Sequence, residues 1–180
     1  DFHTRYYRGA HARIWFYGDD DPERRLELLE PYLEGGAAVP VDSRIAPQPA
    51  IAGPRRCEET YAAGEAGAGA FVAVGWLLPE VCDQEQRFAL RVLEHVLLGT
   101  PGSPLRRALI ESGLGEDLTG GGLETELVQP YFSVGLKGVA AGNEDAVERL
   151  VLQTLQQVAD EGIPRQMWLA AANTLEFGLR

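Results

Sequence analysis

Cysteine is scarce in this 180-residue chain. Only Cys57 and Cys82 are present, far apart and without C-x-x-C spacing. That excludes a disulfide framework and a cysteine-built zinc site, and makes a reducing compartment the natural expectation. Histidine is nearly as rare: His3, His11 and His95 are the full set, and none has a second histidine at the spacing of a helical zinc pair. Positive charge is also short, with 16 Lys and Arg against 27 Asp and Glu, a net charge of −11 and a pI near 4.7. Nucleic acid is therefore excluded as a partner, since its phosphates would be repelled at each approach. A basic peptide suits this charge better, although most excess carboxylates serve to solvate a surface. Long apolar runs are missing too. "AFVAVGWLL" is far short of a spanning segment, so no membrane association is expected. No signal or transit peptide opens the chain, and "DFHTRYY" begins as though inside a helix. A G-x-S-x-G elbow is absent, and neither cysteine has an evident histidine partner, which removes serine and cysteine hydrolase readings.

What remains is a chain that is 45% hydrophobic, long enough for one good core with something left over. "ARIWFYG" (Ala12 to Gly18) reads as a strand and "GDDDP" as a turn. The turn leads into a helix capped by Asp21, with Leu26, Leu29 and Leu33 at helical spacing and Pro31 expected to bend or end it. Residues 36–54, rich in Pro, Ala and Gly, read as a linker between residues 1–35 and a domain over 55–180. Beyond it the order reads strand, strand, helix, helix, twice. The strands are "RRCEETYA", "GAFVAVGWLL", "EDLTGGGLE" and "YFSVGLKGV"; the helices run from about Asp83 to Leu98, Pro104 to Ser112, Asn143 to Glu161 and Pro164 to Leu179. Ser103 and Asn143 are the expected caps of the second and third of these helices. Paired strands alternating with paired helices predict an α+β fold, an antiparallel sheet with helices packed on one face.

The stretch "RVLEHVLLG" stands one residue from an inverted zincin motif, H-x-x-E-H, in which two histidines on one helical face bind zinc and the glutamate polarises water. Glu94 and His95 occupy the last two positions, but Arg91 stands at the first, and a guanidinium cation has no lone pair for a metal. Helical spacing puts Ala89, Val92, Leu93 and Val96 on an apolar stripe extended by Leu90 and Leu97. Arg91, Glu94 and His95 then fall on the other side as a surface cluster with a modest ion pair. The glycines of "TGGGLE" lack a dinucleotide or P-loop pattern, and in a strand they mark a bulge or a close backbone approach.

Three strings, "YYRGAHARIWFYGDDDP", "HVLLGTPGSPLRRALIESGLGEDLTGGGLETELVQPYFSVGLKGV" and "NTLEFGLR", together resemble the presequence protease branch of the M16 zinc metallopeptidases. The resemblance covers nearly the whole chain. It implies a clamshell of four homologous α+β domains around a chamber in which short unfolded peptides are cut. Residues 1–35 then correspond to the end of the first domain, 36–54 to the linker and 55–180 to most of a second, zinc-free domain. No catalytic residue and no metal ligand is expected here, zinc being bound in the full-length enzyme by residues outside this chain. The expected partners are short unfolded peptides such as cleaved presequences and the remaining domains of the same polypeptide; the expected location is the mitochondrial matrix or chloroplast stroma. By the same resemblance, Gly120, Gly121, Gly122, Leu123 and Glu124 form a peptide-docking edge strand facing the chamber. A noncatalytic scaffold of the same fold, like the core subunits of respiratory complexes, is the alternative.

Overall fold

Alternation along β1 (Ala70–Leu77) sends Ala70, Val72, Val74 and Trp76 toward the core and leaves Phe71, Ala73 and Gly75 exposed on the opposite face. The strand pairs antiparallel with β3 (Tyr131–Val139), whose other edge pairs antiparallel with β2 (Asp117–Glu124), giving the order β1-β3-β2. Helices α3 (Gln84–Leu98), α4 (Pro104–Glu111), α5 (Glu144–Glu161) and α6 (Arg165–Gly178) complete this α+β layer. Their apolar stripes and the inward positions of the sheet build one core, centred on Leu97, Leu105, Leu109, Val134, Leu136, Val147 and Val151. Spacing explains the helical share of it. Val147, Val151, Leu155 and Val158 recur every three or four residues along α5, and Leu105 and Leu109 do the same on α4.

The computed structural model describes residues 1–33, 42–62, 69–80 and 83–180. The chain divides into two compact units, Asp1–Ala46 and Pro47–Arg180, and the sheet lies in the second. The head of the linker expected over 36–54, the stretch 63–68 and Cys82 lie outside the described residues. In the first unit, α1 (Phe2–Tyr6) agrees with the helical look of the opening residues. α2 (Pro22–Leu33) keeps Pro31 inside its last turn. Asp21 caps α2, its carboxylate accepting the amide of Glu23 at 3.0 Å.

Two expected strands are absent. Ala12 to Gly18 forms no sheet, and Trp15 is 88% exposed with Ile14 and Phe16 also open to solvent. Arg55 to Ala62 likewise forms no strand, and Cys57 within it is exposed. Both segments have strand-like composition, but a strand needs a partner for its backbone groups, and neither has one among the described residues. The second is held by side chains instead. Arg56 bonds Asp145 at 2.9 Å and Glu148 at 2.5 Å on α5, and the Tyr61 hydroxyl donates to the Gly69 carbonyl.

The caps of α4 and α5 also differ from expectation. Ser103 sits at the N-cap but its side chain makes no capping bond. Its hydroxyl donates to the His95 carbonyl at 3.3 Å and accepts the Thr100 amide at 3.0 Å, tying the end of α3 to the start of α4. Asn143 makes no side-chain cap either; the Glu144 carboxylate turns back to accept the Gly142 amide. A carboxylate in the first turn meets the positive end of the helix dipole, so the neighbour performs the electrostatic part of the task.

Candidate peptide-docking strand and its surroundings

A bulge shapes β2. Between the pairs Thr119 with Gly135 and Gly122 with Ser133, β2 advances three residues while β3 advances two. One residue is therefore extra, and the facing rule inverts across it. Leu118 packs on the core opposite Leu136, and Leu123 packs on the same helix-covered side opposite Phe132, although an unbroken strand would send positions 118 and 123 to opposite faces. The glycines make the bulge possible. Gly120 and Gly122 have φ of +90° and +65°, and a Cβ at Gly120 would stand 2.7 Å from the Ser133 carbonyl oxygen.

Gly121 differs from its neighbours. A side chain there would meet nothing within 4 Å, and φ is not in the left-handed region. Its amide donates to the Ser133 hydroxyl at 3.0 Å, which satisfies the group the bulge takes out of the ladder. Gly120 and Gly121 are exposed, Gly122 is buried, and Leu123 and Glu124 are half-buried. Glu124 accepts the amide of Glu126 at 2.7 Å, so its carboxylate also holds the turn that follows. Since β3 lies between the other two strands, β2 is an edge of this sheet among the described residues. The sequence meanings of bulge and accessible edge thus coexist in one strand.

The zinc-like helix segment departs from its expected orientation. Glu94 faces inward: its Oε1 lies 2.9 Å from the point where a Gly122 side chain would begin, and it lines a cavity between α3 and the sheet. The signal was present in the sequence, because Glu94 follows Leu90 by four and precedes Leu97 by three, both residues of the same cavity wall. The His95 ring packs over Gly99, at the C-terminal end of its own helix. Ala89 and Leu93, assigned to the buried stripe, are exposed. Among the described residues no ion pair joins Arg91 to Glu94. Nor do any three His, Cys, Asp or Glu side chains among them come together as a metal site. The trio does not fit a zinc ion: one member is a cation, and the other two diverge toward β2 and toward Gly99.

The cavity beside Glu94 has a volume of about 190 Å³. Trp76, Leu90, Leu93, Leu97, Leu123 and Phe132 supply most of its wall, and among the described residues Glu94 is its one ionisable member. Sequence reasoning did not find this cavity, because it is made by residues of three strands and two helices that only the fold assembles.

Comparison with known proteins bears on the whole chain. Presequence protease 1, chloroplastic/mitochondrial, of Arabidopsis thaliana is 46% identical over 186 residues, which takes in 100% of this chain and 17% of the relative. The mitochondrial presequence protease of Mus musculus is 35% identical over 173 residues, 89% of this chain and 16% of the relative. Protein HypA of Clostridium perfringens is 28% identical over 184 residues, 100% of this chain and 19% of the relative. The chain thus spans less than a fifth of the length of these relatives. Residues 1–175 match the family model described as the peptidase M16 inactive domain. With that match over nearly its whole length, the chain belongs to the M16 peptidase family and corresponds to a noncatalytic segment of it.

Proposed function

We propose that this chain forms part of the chamber wall of a zinc-dependent M16 endopeptidase that degrades short unfolded peptides, cleaved presequences among them. In this reading the peptide adds to the outer edge of β2 along Gly120, Gly121, Gly122, Leu123 and Glu124. Zinc and the groups that cut the peptide belong to other parts of the same polypeptide. Residues 1–35 close a preceding domain, 36–54 connect, and 55–180 form most of a second domain; the boundary between compact units, after Ala46, falls within that connection. The names of the relatives, chloroplastic/mitochondrial and mitochondrial, support action in one or both of those organelles.

One observation carries the docking role: β2 offers an edge without a strand partner among the described residues, and its exposed centre, Gly120 and Gly121, has no side chains. An extended peptide gains affinity there from backbone hydrogen bonds, which are indifferent to sequence and suit the disposal of many different peptides. Glu124 adds a negative charge that favours basic peptides or a free amino terminus.

Gly121→Val in the full-length polypeptide tests this directly, because open space around Gly121 and its ordinary φ let the strand keep its shape. Peptides long enough to reach from the cutting site to β2 should show KM raised roughly tenfold, the effect of losing a couple of backbone bonds at a peptide-docking edge. Peptides too short to reach should be cut as before. Equal effects on both lengths would remove β2 as the docking strand.

A further inference from the structure

The cavity on the helix side of β2 supplies what a backbone-only dock lacks, a means of choosing between peptides. Its volume of about 190 Å³ exceeds the roughly 150 Å³ of an apolar cavity that takes up benzene, so one bulky aliphatic or aromatic side chain fits. Leu93 lines it and is 40% exposed, which gives the cavity an open side at α3. Glu94 stands in the wall, half-buried, against Gly122. No ion pair engages its carboxylate among the described residues. A carboxylate beside apolar walls attracts a cation more strongly than one in open water.

Geometry joins this cavity to the edge. Leu123 belongs to both β2 and the cavity wall, and the Glu94 carboxylate stands where a side chain at Gly122 of β2 would begin. A strand laid along β2 sends alternate side chains to the helix side, so positions i and i+2 of a docked peptide face α3 together. We infer that this pocket selects peptides carrying a bulky apolar residue and, two positions away, a Lys or Arg. The apolar side chain enters between Leu90, Leu93 and Leu123, and the cation pairs with Glu94. The inference rests on the docking of an extended peptide at β2 proposed above, and it adds sequence preference to a dock that would otherwise have little.

The test is cleavage kinetics of the full-length polypeptide on a set of long peptides that differ only at two positions: Leu-x-Arg, Leu-x-Gln and Ala-x-Arg. The natural protein should favour Leu-x-Arg over each of the others by about fivefold in KM, the size expected of one partly screened charge pair or one partly buried side chain. Glu94→Gln should erase the preference for Arg over Gln and keep that for Leu over Ala; Leu93→Ala should do the reverse. Gly121→Val, run in parallel, should raise KM for all three peptides alike. If Gly121→Val acts but both preferences survive Glu94→Gln and Leu93→Ala, the pocket is not a selector while the dock stands. If Gly121→Val has no effect on long peptides, the dock fails and the selector with it. A third outcome is that the pocket variants lower the unfolding temperature and leave each KM ratio unchanged. The cavity would then be filled by another segment of the same polypeptide, which overturns the inference.

Discussion

The amide of Gly121 donates to the hydroxyl of Ser133 across the bulge of β2, at 3.0 Å. This bond replaces a ladder bond that the extra residue removes. Ser133→Ala should therefore cost about 0.5–1.5 kcal/mol, the ordinary net worth of one hydrogen bond. The more specific readout is hydrogen exchange, in which the Gly121 amide should lose protection while Leu118 and Leu123 keep theirs. An unchanged Gly121 exchange rate in the Ala variant would mean the bond does not shape the bulge.

Gly135 and Gly121 lie on neighbouring strands and should respond in opposite ways to the same change. A methyl group at Gly135, on the central strand, would run into the Val72 carbonyl of β1, so the pair of strands must separate to admit it. Gly135→Ala should destabilise by more than about 3 kcal/mol, in the range reserved for core overpacking and broken backbone pairing. Gly121→Ala meets open space and should change stability by less than about 1 kcal/mol. Urea denaturation of both variants checks the contrast. Similar midpoints would show that the close approach at Gly135 relaxes at little cost.

Helices α3 to α6 and strands β2 and β3 were legible because their signals are local. Spacing of apolar residues, a Pro in a first turn and glycines at strand ends all act within a few residues. "YFSVGLKGV" runs over the same residues as β3. Segments that failed needed information from afar. Ala12 to Gly18 and Arg55 to Ala62 are rich in strand-forming types, yet pairing is a property of two segments, and composition reports only one. The site was partly legible for the same reason. A glycine triplet announces a bulge or an accessible edge, but not that Ser133 would take the freed amide. Glu94 departs from expectation for a different cause: its charge points to solvent, but its spacing from Leu90 and Leu97 sets it on their face.

Asp117 opens β2 with a carboxyl held below its ordinary value of 3.8, first by the Leu118 amide at 2.8 Å and then by Lys137 at 3.1 Å. A depressed folded value has a definite sign. The contribution is complete above the unfolded value and is lost as pH falls through the lower, folded one. Asp117→Asn should flatten the decline of stability below about pH 4 and change the response at neutral pH and above far less. Because the pair is exposed, added salt should shrink the difference between variant and natural chain. Thermal unfolding from pH 2 to 7 at two salt concentrations provides the check, with an identical acid limb in both proteins as the contrary result.

His95 and Ser103 separate a structural reading of the "EH" pair from a metal one. The His95 carbonyl accepts both the Gly99 amide at 2.8 Å and the Ser103 hydroxyl at 3.3 Å, and its ring packs over Gly99. Ser103 is only 3% exposed, so its hydroxyl has little water to fall back on. Ser103→Ala should therefore cost about 0.5–1.5 kcal/mol, the ordinary net worth of a hydrogen bond, because the Thr100 amide loses its partner while the His95 carbonyl keeps the Gly99 amide. His95→Ala should destabilise through lost packing at the α3–α4 corner, by an amount that zinc does not change. The chain, dialysed against micromolar zinc and then buffer, should hold no stoichiometric metal before or after either substitution, since Arg91 offers no lone pair and Glu94 and His95 diverge. Metal analysis and urea denaturation with and without zinc decide between the readings. One equivalent of tightly held zinc, released by His95→Ala, would assign the pair to a metal site. Equal destabilisation with and without zinc would assign it to the corner that joins the two helices.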